Sequence, residues 1–501
     1  MNLMRTKSVE QSMDDTHDPE FQLKRNLTAL DLTVFGIGVI IGAGIFTLTG
    51  KAAAEFAGPA VVFSFAIAAI CCGLAAVCYA EFASTVPVSG SAYTFSYATL
   101  GELVAWIIGW DLILELMLGA SVVAQGWSTY FVTFLEEIGL GWPDSLGPSA
   151  EASFGHFNLA ALLLVAILTV LVAVGIKESL RVNLVLVGVK LFIVLFVIFA
   201  GLFYVTGSNY DPFIPEAADP ISKSGLTQPL FQWIFGFEAQ TFGVLGIVSA
   251  ASVVFFAYIG FDVVATTAEE ARNPQRDLPL GIIGSLVICT VLYMAVALVI
   301  TGMIKYDKID TEAALASAFR DQGKDGFATM IAAGAVAGLT TVVMTLLIGA
   351  VRVLFAMSRD GLLPRQFAHV NPKTGTPVRI TLTIGAAVAV VASMTPIGKL
   401  EEMVNIGTLT AFALVSLAVP ILRKRRPDLE RSFKVPLNPW LPYLAALVCV
   451  YLAMNLSIET WLRFLIWMVL GFAIYFIYGY SHSRVGKGEG EPAVDYSRHD
   501  D

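Results

Sequence analysis

A lysine and several acids lie inside long apolar stretches of this chain, where charged side chains are rare. Lys190 follows Arg181 by nine residues, so at about 1.5 Å per residue it lies roughly 13 Å into its apolar stretch. A buried ammonium group is costly and tends to lose its proton, which makes Lys190 a candidate for reversible protonation. The alternative is that its stem reaches back to the interface, although the depth exceeds the length of the side chain.

Glu115 lies in another apolar stretch, with Asp111 one helical turn before it on the same face. Acids that face the interior of a membrane bundle are usually functional or paired. Asp262 follows Gly260 and is interpreted as a partner of Tyr293, as an aid to proton movement, or as a helix cap. These alternatives stay open at the level of the sequence.

Glycines interrupt the first apolar stretch at Gly36, Gly38, Gly42 and Gly44. Close helix packing through small residues is one explanation. The other is unwinding, which exposes backbone N–H groups of Gly42, Ala43 and Gly44 to a carboxylate at a new helix N-terminus. Carbonyls freed at this interruption and at a second one near Gly260 would accept from an ammonium group; they belong to Ile40, Ile41, Phe256, Ala257 and Ile259. Together these groups suit a zwitterionic amino acid.

The composition predicts a helical membrane protein. Of the 501 residues, 56% are hydrophobic and 14% charged, and the mean hydropathy is +0.73, so the chain cannot cover a water-facing surface. Transmembrane barrels alternate apolar and polar residues in segments of about ten, which the long apolar runs do not do. A net charge of −9 with no basic face excludes nucleic-acid binding.

Enzyme chemistry is not expected. All five histidines lie in tails or loops, and the five cysteines fall inside apolar segments without metal-ligand spacing. We therefore expect neither a cofactor nor a metal. The first 27 residues are polar and mixed in charge, without the apolar core of a signal peptide.

Runs of about 20 apolar residues predict about 12 transmembrane helices. They cover 28–50, 59–83, 100–133, 157–176, 181–206, 247–267, 279–304, 328–357, 379–396, 402–422, 440–457 and 461–480. With the N-terminus inside, 22 Lys and Arg fall in inner segments and 8 in outer ones. This excess predicts that both termini are cytoplasmic.

The spans form two blocks of five, 28–206 and 247–423. Because five is odd, the second block must cross the membrane in the opposite sense, as in an inverted repeat. A cytoplasmic tail (1–27), an extracellular loop (207–246), helices 11 and 12 (424–480) and a second cytoplasmic tail (481–501) complete the predicted organisation. We also expect extra helices at 226–246, in the membrane interface, and at 311–321.

Several motifs resemble the amino acid/polyamine/organocation superfamily, most of all its cationic amino acid transporter branch. They span Leu27 to Tyr480 and comprise Gly42 to Phe46, Tyr79 to Phe82, Pro87 to Tyr93, Phe255 to Asp262, Glu269 to Pro279 and Arg352 to Pro364. The resemblance implies a LeuT-like fold with five plus five inverted repeats, broken helices 1 and 6, and two C-terminal helices. It also implies the substrate pose described above and alternating access.

The resemblance assigns roles to further residues. Phe256 would form an aromatic gate over the substrate, and Lys190 would replace a sodium ion, with Thr340 and Thr341 as partners on span 8. Glu115 would be essential, either at the site or by holding helices together. At the cytoplasmic end a salt-bridged gate or a solvated loop is predicted for Glu269, Glu270, Arg272 and Arg276.

The predicted function is proton-coupled symport of L-amino acids in the plasma membrane. A proton-independent facilitator or exchanger is the alternative; a channel and an amino acid sensor are weaker ones. Selectivity for neutral or cationic side chains stays open, because the pocket candidates are mostly small and apolar: Ala120, Ile259, and either Val343 or Met344. The sequence does not indicate whether an accessory subunit is needed.

Overall fold

The computed structural model describes residue 5 and residues 27–85, 91–148, 157–175, 180–218, 225–236, 241–265, 267–268, 271–311, 313–371 and 374–487. Its main helices are α1 (Ala29–Ile40), α2 (Val61–Thr85), α3 (Ser91–Thr99), α4 (Glu102–Glu137), α5 (Leu159–Val174), α6 (Leu180–Gly201), α7 (Leu230–Phe235), α8 (Gly243–Val254), α9 (Phe261–Ala265), α10 (Pro274–Met303), α11 (Ala314–Arg320), α12 (Asp325–Arg359), α13 (Val378–Met394), α14 (Ile397–Arg425), α15 (Trp440–Met454) and α16 (Ile458–Ile474). Between these described residues, extended backbone pairs only in isolated bridges such as Leu27 with Ala271.

The described helices are those of a membrane protein. Eight helical segments are long and apolar enough to cross a bilayer, and four shorter apolar helices, α1, α5, α13 and α15, accompany them. Each predicted span overlaps one of these segments. The all-α membrane class is therefore confirmed, whereas the twelve-helix inverted repeat remains a prediction.

Helix α4 lies at the centre of the bundle, packed against α3, α12, α13 and α14. In its most apolar stretch 83% of residues are buried, against 22% in the segment that begins with α16. Apolar side chains on α16, such as Ile466 and Val469, point outward instead. Asp111 and Glu115 on α4 therefore lie deep inside the protein, and α16 forms part of the outer surface.

Local signals in the sequence fix several helix ends. Thr28 and Asp31 form a capping box at the start of α1, in which each side chain bonds the backbone N–H of the other residue. Asn158 and Ser457 cap α5 and α16 through backbone N–H groups three residues on. Gly175 takes the left-handed conformation (φ 86°) that ends α5.

Some predicted features shift or fall outside the described residues. The predicted extra helices in 226–246 and 311–321 are present as α7 and α11, whereas α3 was not predicted. The exposed aromatic side chains of α7, Trp233 and Phe235, fit an interfacial position. Glu269 and Glu270, the stretch 86–90 and most of both tails lie outside the described residues.

Candidate functional site

The first apolar stretch is interrupted where the glycines predicted a break. Helix α1 ends at Ile40, and Ile41 and Gly42 leave the helical path. The N–H of Gly42 bonds the carbonyl of Ile40 at 2.8 Å, and the N–H of Ile41 bonds that of Ile37 at 2.9 Å. The chain then winds again as a wider π-helix over Gly44–Leu48.

The second interruption separates α8 from α9. A 3₁₀ turn over Phe255–Tyr258 follows α8, and Ile259 is then extended (φ −62°, ψ 137°). Gly260 has φ +118°, a conformation that side-chain-bearing residues rarely adopt. The glycine therefore permits the turn into α9, and Asp262 follows in its first turn.

The two interruptions lie against each other. A Cβ added at Gly44 would lie 2.3 Å from the Cα of Ala257, and one at Gly260 would lie 2.7 Å from Cγ1 of Val39. Neither position leaves room for a side chain, because such a contact is far shorter than van der Waals distance. Both glycines thus allow two backbones with irregular hydrogen bonding to approach at one point.

Several of the predicted substrate carbonyls already accept hydrogen bonds within the chain. The Ile40 carbonyl accepts from the Tyr293 hydroxyl at 2.7 Å as well as from Gly42, which uses both its lone pairs. The Phe256 carbonyl accepts from the N–H of Ile259 at 3.2 Å. The Tyr293 contact also corrects one alternative from the sequence, since this hydroxyl bonds α1 and not Asp262.

Lys190 is fully buried and connects three helices. Its Nζ donates to the carbonyl of Gly38 at 2.6 Å, one turn before the first interruption. Its stem packs on Gly338 of α12, where an added Cβ would lie 2.8 Å from the lysine Cγ. An amine at this depth, bonded inward to a carbonyl, does not snorkel to the interface.

The two threonines predicted beside Lys190 have different surroundings. The Thr341 hydroxyl bonds the carbonyl of Gly338 at 2.9 Å, on the turn that contacts the lysine stem. The Thr340 hydroxyl bonds Val336 and accepts from the indole N–H of Trp127 on α4 at 2.9 Å. Thr341 therefore shares the face of Gly338, while Thr340 links α12 to α4.

Residues of α12 and α4 also contact the first interruption. A Cβ at Gly42 would lie 3.4 Å from Cγ1 of Val342, and one at Gly126 would lie 3.3 Å from the Cβ of Ala43. Val342 was not among the predicted pocket residues, although its neighbour Val343 was. The predicted pocket residues Ala120, Val343 and Met344 are buried, and Ile259 is partly exposed.

The intramembrane acids converge near α9. Asp111, Glu115 and Asp262 are all buried. Thr408 of α14 lies beside Glu115, and Tyr79 of α2 lies near all three acids. Asp262 also lies beside backbone N–H groups of residues 260, 262 and 263, which fits the helix-end role that the sequence left open.

Sequence reasoning missed three ion pairs between residues far apart along the chain. Lys51 pairs with Glu401, Arg423 with Glu81, and Arg5 with Glu102. These partners lie far apart along the chain and carry no local signal. Arg272 and Arg276, predicted for an inner gate, are exposed.

Helices interrupted at one point, around a buried amine and buried acids, place the chain among multi-pass helical membrane proteins with discontinuous spans. The family model "Amino acid permease" matches residues 27–478. The chain belongs to the amino acid permease family.

Characterised relatives share this length. The branched-chain amino acid permease BcaP of Bacillus subtilis is 46% identical over 97% of this chain and 99% of its own. The methylthioribose transporter of the same organism is 44% identical over 93% of this chain and 95% of its own. The vacuolar cationic amino acid transporter 4 of Arabidopsis thaliana is 30% identical over 99% and 98%.

Proposed function

We propose that this protein is a proton-coupled symporter of L-amino acids that works by alternating access in the plasma membrane. Both termini face the cytoplasm in this proposal, as the distribution of Lys and Arg predicts. Membership of the amino acid permease family supports the substrate class. Relatives named for a branched-chain amino acid permease and a cationic amino acid transporter support it further.

The substrate would lie where the two interruptions meet. Its carboxylate would accept from the N–H groups of Ala43 and Gly44, at the start of a helical segment. The N–H of Gly42, predicted as a third donor, already bonds the Ile40 carbonyl. Its ammonium group would donate to carbonyls of Ile41, Ala257 and Ile259, because the Ile40 carbonyl is already used. The Phe256 ring, 6% exposed, would cover the substrate.

We propose a neutral, apolar side chain for the substrate. The groups that contact the interruptions are apolar: Val39, Val342 and Ala257. The buried acids that could match a cationic side chain group near Asp262 of α9, which follows the second interruption. The name of the branched-chain permease agrees with this choice. A relative of similar identity is named for methylthioribose, so substrate must be tested directly.

The contact between Lys190 and Gly38 is the observation that carries proton coupling. A charged amine donates a stronger hydrogen bond to a carbonyl than a neutral amine does. Protonation would therefore tighten the link between α6 and the helix that ends at the substrate's carboxylate seat. Proton release would weaken the same hydrogen bond. The protonation state of Lys190 would therefore affect the backbone geometry of the substrate site.

The alternative is a facilitator or exchanger in which Lys190 only pins α6 to α1. Uptake of a panel of labelled amino acids into proteoliposomes, with and without an inward proton gradient, separates the two. We expect concentrative uptake by the wild type only with the gradient. Lys190→Ala should abolish that accumulation while substrate binding survives, and Lys308→Ala, at an exposed loop position, should behave as wild type.

Uptake by the wild type that ignores the proton gradient would reject symport and leave a facilitator or exchanger. If Lys190→Ala neither folds nor binds substrate, the test uses Lys190→Met instead, because methionine keeps nearly the same side-chain volume. If Lys190→Met still accumulates substrate when the inward proton gradient is applied, Lys190 is not the coupling group.

A further inference from the structure

A cluster of buried acids lies apart from the amine at Lys190. Asp111 and Glu115 stand one turn apart on α4, and Asp262 lies on α9 just after the second interruption. Their exposed fractions are 0%, 1% and 2%. Glu115 lies 13 residues after Glu102, so it is about 20 Å from the end of α4 that lies near the chain termini.

Within the described part of the chain, these acids lack the partners that other buried acids have. Both carboxylate oxygens of Asp111 and of Glu115, and Oδ1 of Asp262, make no hydrogen bond there. Glu102 is equally buried, yet it accepts from Arg5, Tyr97 and Tyr475. Burial alone therefore does not account for the missing partners, and such atoms call for an explanation.

Two hydroxyl groups on other helices lie near these acids and are also unpartnered among the described residues. Tyr79 of α2 and Thr408 of α14 are fully buried. The Tyr79 hydroxyl lies within electrostatic range of all three acids, and Thr408 lies beside Glu115 without good hydrogen-bond geometry. Four elements thus contribute polar atoms without partners to one buried region.

Nothing among the described residues balances the negative charge of this cluster. The other titratable groups near it are the thiols of Cys72 on α2 and Cys449 on α15. In the part of the chain that the structure describes, no lysine, arginine or histidine acts on Asp111, Glu115 or Asp262. Buried carboxylates without a counter-charge, with Asp111 and Asp262 both acting on Glu115, are not stable in a dehydrated interior. A positive species must accompany them.

The geometry favours a proton over a metal ion. Sodium, calcium and magnesium need a shell of converging oxygen ligands. The described residues contain no group of three His, Cys, Asp or Glu side chains arranged to hold a metal ion. A proton needs only one carboxylate oxygen, and the resulting O–H can donate to a neighbouring carboxylate or hydroxyl.

We propose that Asp111, Glu115 and Asp262, with the hydroxyls of Tyr79 and Thr408, form a second proton-binding site, separate from Lys190. The site holds a proton while α9 is packed against α1, α2 and α10, and exchanges it with water when α9 moves away. Gly260 gives this movement a flexible start. Its role in transport rests on the proposed function; binding of the proton does not.

Infrared spectroscopy of the full chain in liposomes tests the site without any transport. We expect a carbonyl band of a protonated carboxyl group, shifted by exchange into D₂O, that disappears as the pH is raised. Glu115→Gln and Asp111→Asn should each remove or shift this band. Asp325→Asn, which changes an exposed acid at the start of α12, should leave it unchanged.

Two further variants keep the test decisive if the acid variants fail to fold. Tyr79→Phe and Thr408→Val retain nearly the same volume, and each should shift the band frequency by removing a hydrogen-bond partner. A band that is the same in all of these variants overturns the proposal. So does a sodium-specific rise in the melting temperature, measured against choline at equal ionic strength, that Glu115→Gln abolishes.

The outcome is independent of symport. If uptake ignores the proton gradient while the band behaves as expected, the proposed symport fails and the proton site stands. If uptake follows the proton gradient and the band does not depend on these residues, the proton site is rejected and the proposed symport stands.

Discussion

Lys51 and Glu401 join two helical segments at the end of the bundle opposite the termini, with Nζ 3.0 Å from Oε2. Lys51 belongs to the part of the first stretch that follows the interruption, and Glu401 lies near the start of α14. The glutamate side chain is 4% exposed and the lysine side chain 24%. The pair fixes the half of the broken helix that follows the interruption to α14, which also packs on α4.

Breaking this pair from one side should harm stability more than removing both partners. Lys51→Met leaves a buried carboxylate without a counter-charge, for which we expect a loss of about 2–3 kcal/mol. The double variant with Glu401→Met should regain much of that loss, because apolar side chains of similar size can replace a buried pair. Melting temperatures in detergent give the comparison, and simply additive losses would contradict the expected coupling.

Gly44 should tolerate no side chain. In Gly44→Val the Cβ would overlap backbone atoms of Ala257, which cannot move without displacing the second interruption. Such overpacking costs about 1–3 kcal/mol, and uptake should be lost even where the protein still folds. Gly188→Val is the matched control, since a Cβ there meets nothing within 4 Å. Uptake and melting temperature are measured for both variants and for the wild type. Uptake by Gly44→Val equal to that of Gly188→Val would contradict the prediction.

The sequence predicted the positions of helices and their interruptions better than it predicted which side chains contact each other. Glycine spacing located both interruptions, and helical rise placed Lys190 deep in its span, because these are local properties of the chain. The partner of Lys190 is a backbone carbonyl, Gly38, which has no side-chain signature. Thr340 was expected beside the lysine, yet one residue of rotation on α12 directs it to Trp127. The position of a residue along a helix does not determine which neighbouring helix it faces when the packing of the helices is unknown.

Tyr293 should matter to the first interruption beyond its effect on stability. Tyr293→Phe removes the hydroxyl that bonds the Ile40 carbonyl at 2.7 Å, and we expect a loss of about 1 kcal/mol. Uptake should fall by more than this loss of stability explains, because Ile40 is the last residue of α1 before the proposed substrate site. Tyr210→Phe removes a 2.7 Å bond to the Leu298 carbonyl on the same helix, α10, near the surface. That control should change the melting temperature slightly and leave the substrate KM unchanged; equal effects on KM would contradict the assignment.

Glu102 should be the most sensitive acid at the termini end. It is fully buried and accepts from Arg5 at 2.6 and 2.9 Å and from the hydroxyls of Tyr97 and Tyr475 at 2.8 Å. Hydrogen bonds to a charged group contribute about 1.5–3 kcal/mol each, so Glu102→Gln should lower the melting temperature strongly.

The acid Glu459 provides the contrast for Glu102, because it also pairs with an arginine but lies at the surface. Glu459 pairs with Arg463 one turn along α16, and its side chain is 36% exposed. Solvent-exposed pairs at this spacing contribute about 0.3–0.5 kcal/mol, so Glu459→Gln should have almost no effect. Melting temperatures measured at low and high salt add a second criterion: the Glu459 effect should vanish in salt, while the Glu102 effect persists. A Glu102 effect that salt removes would mean that water reaches this network and that burial does not protect it.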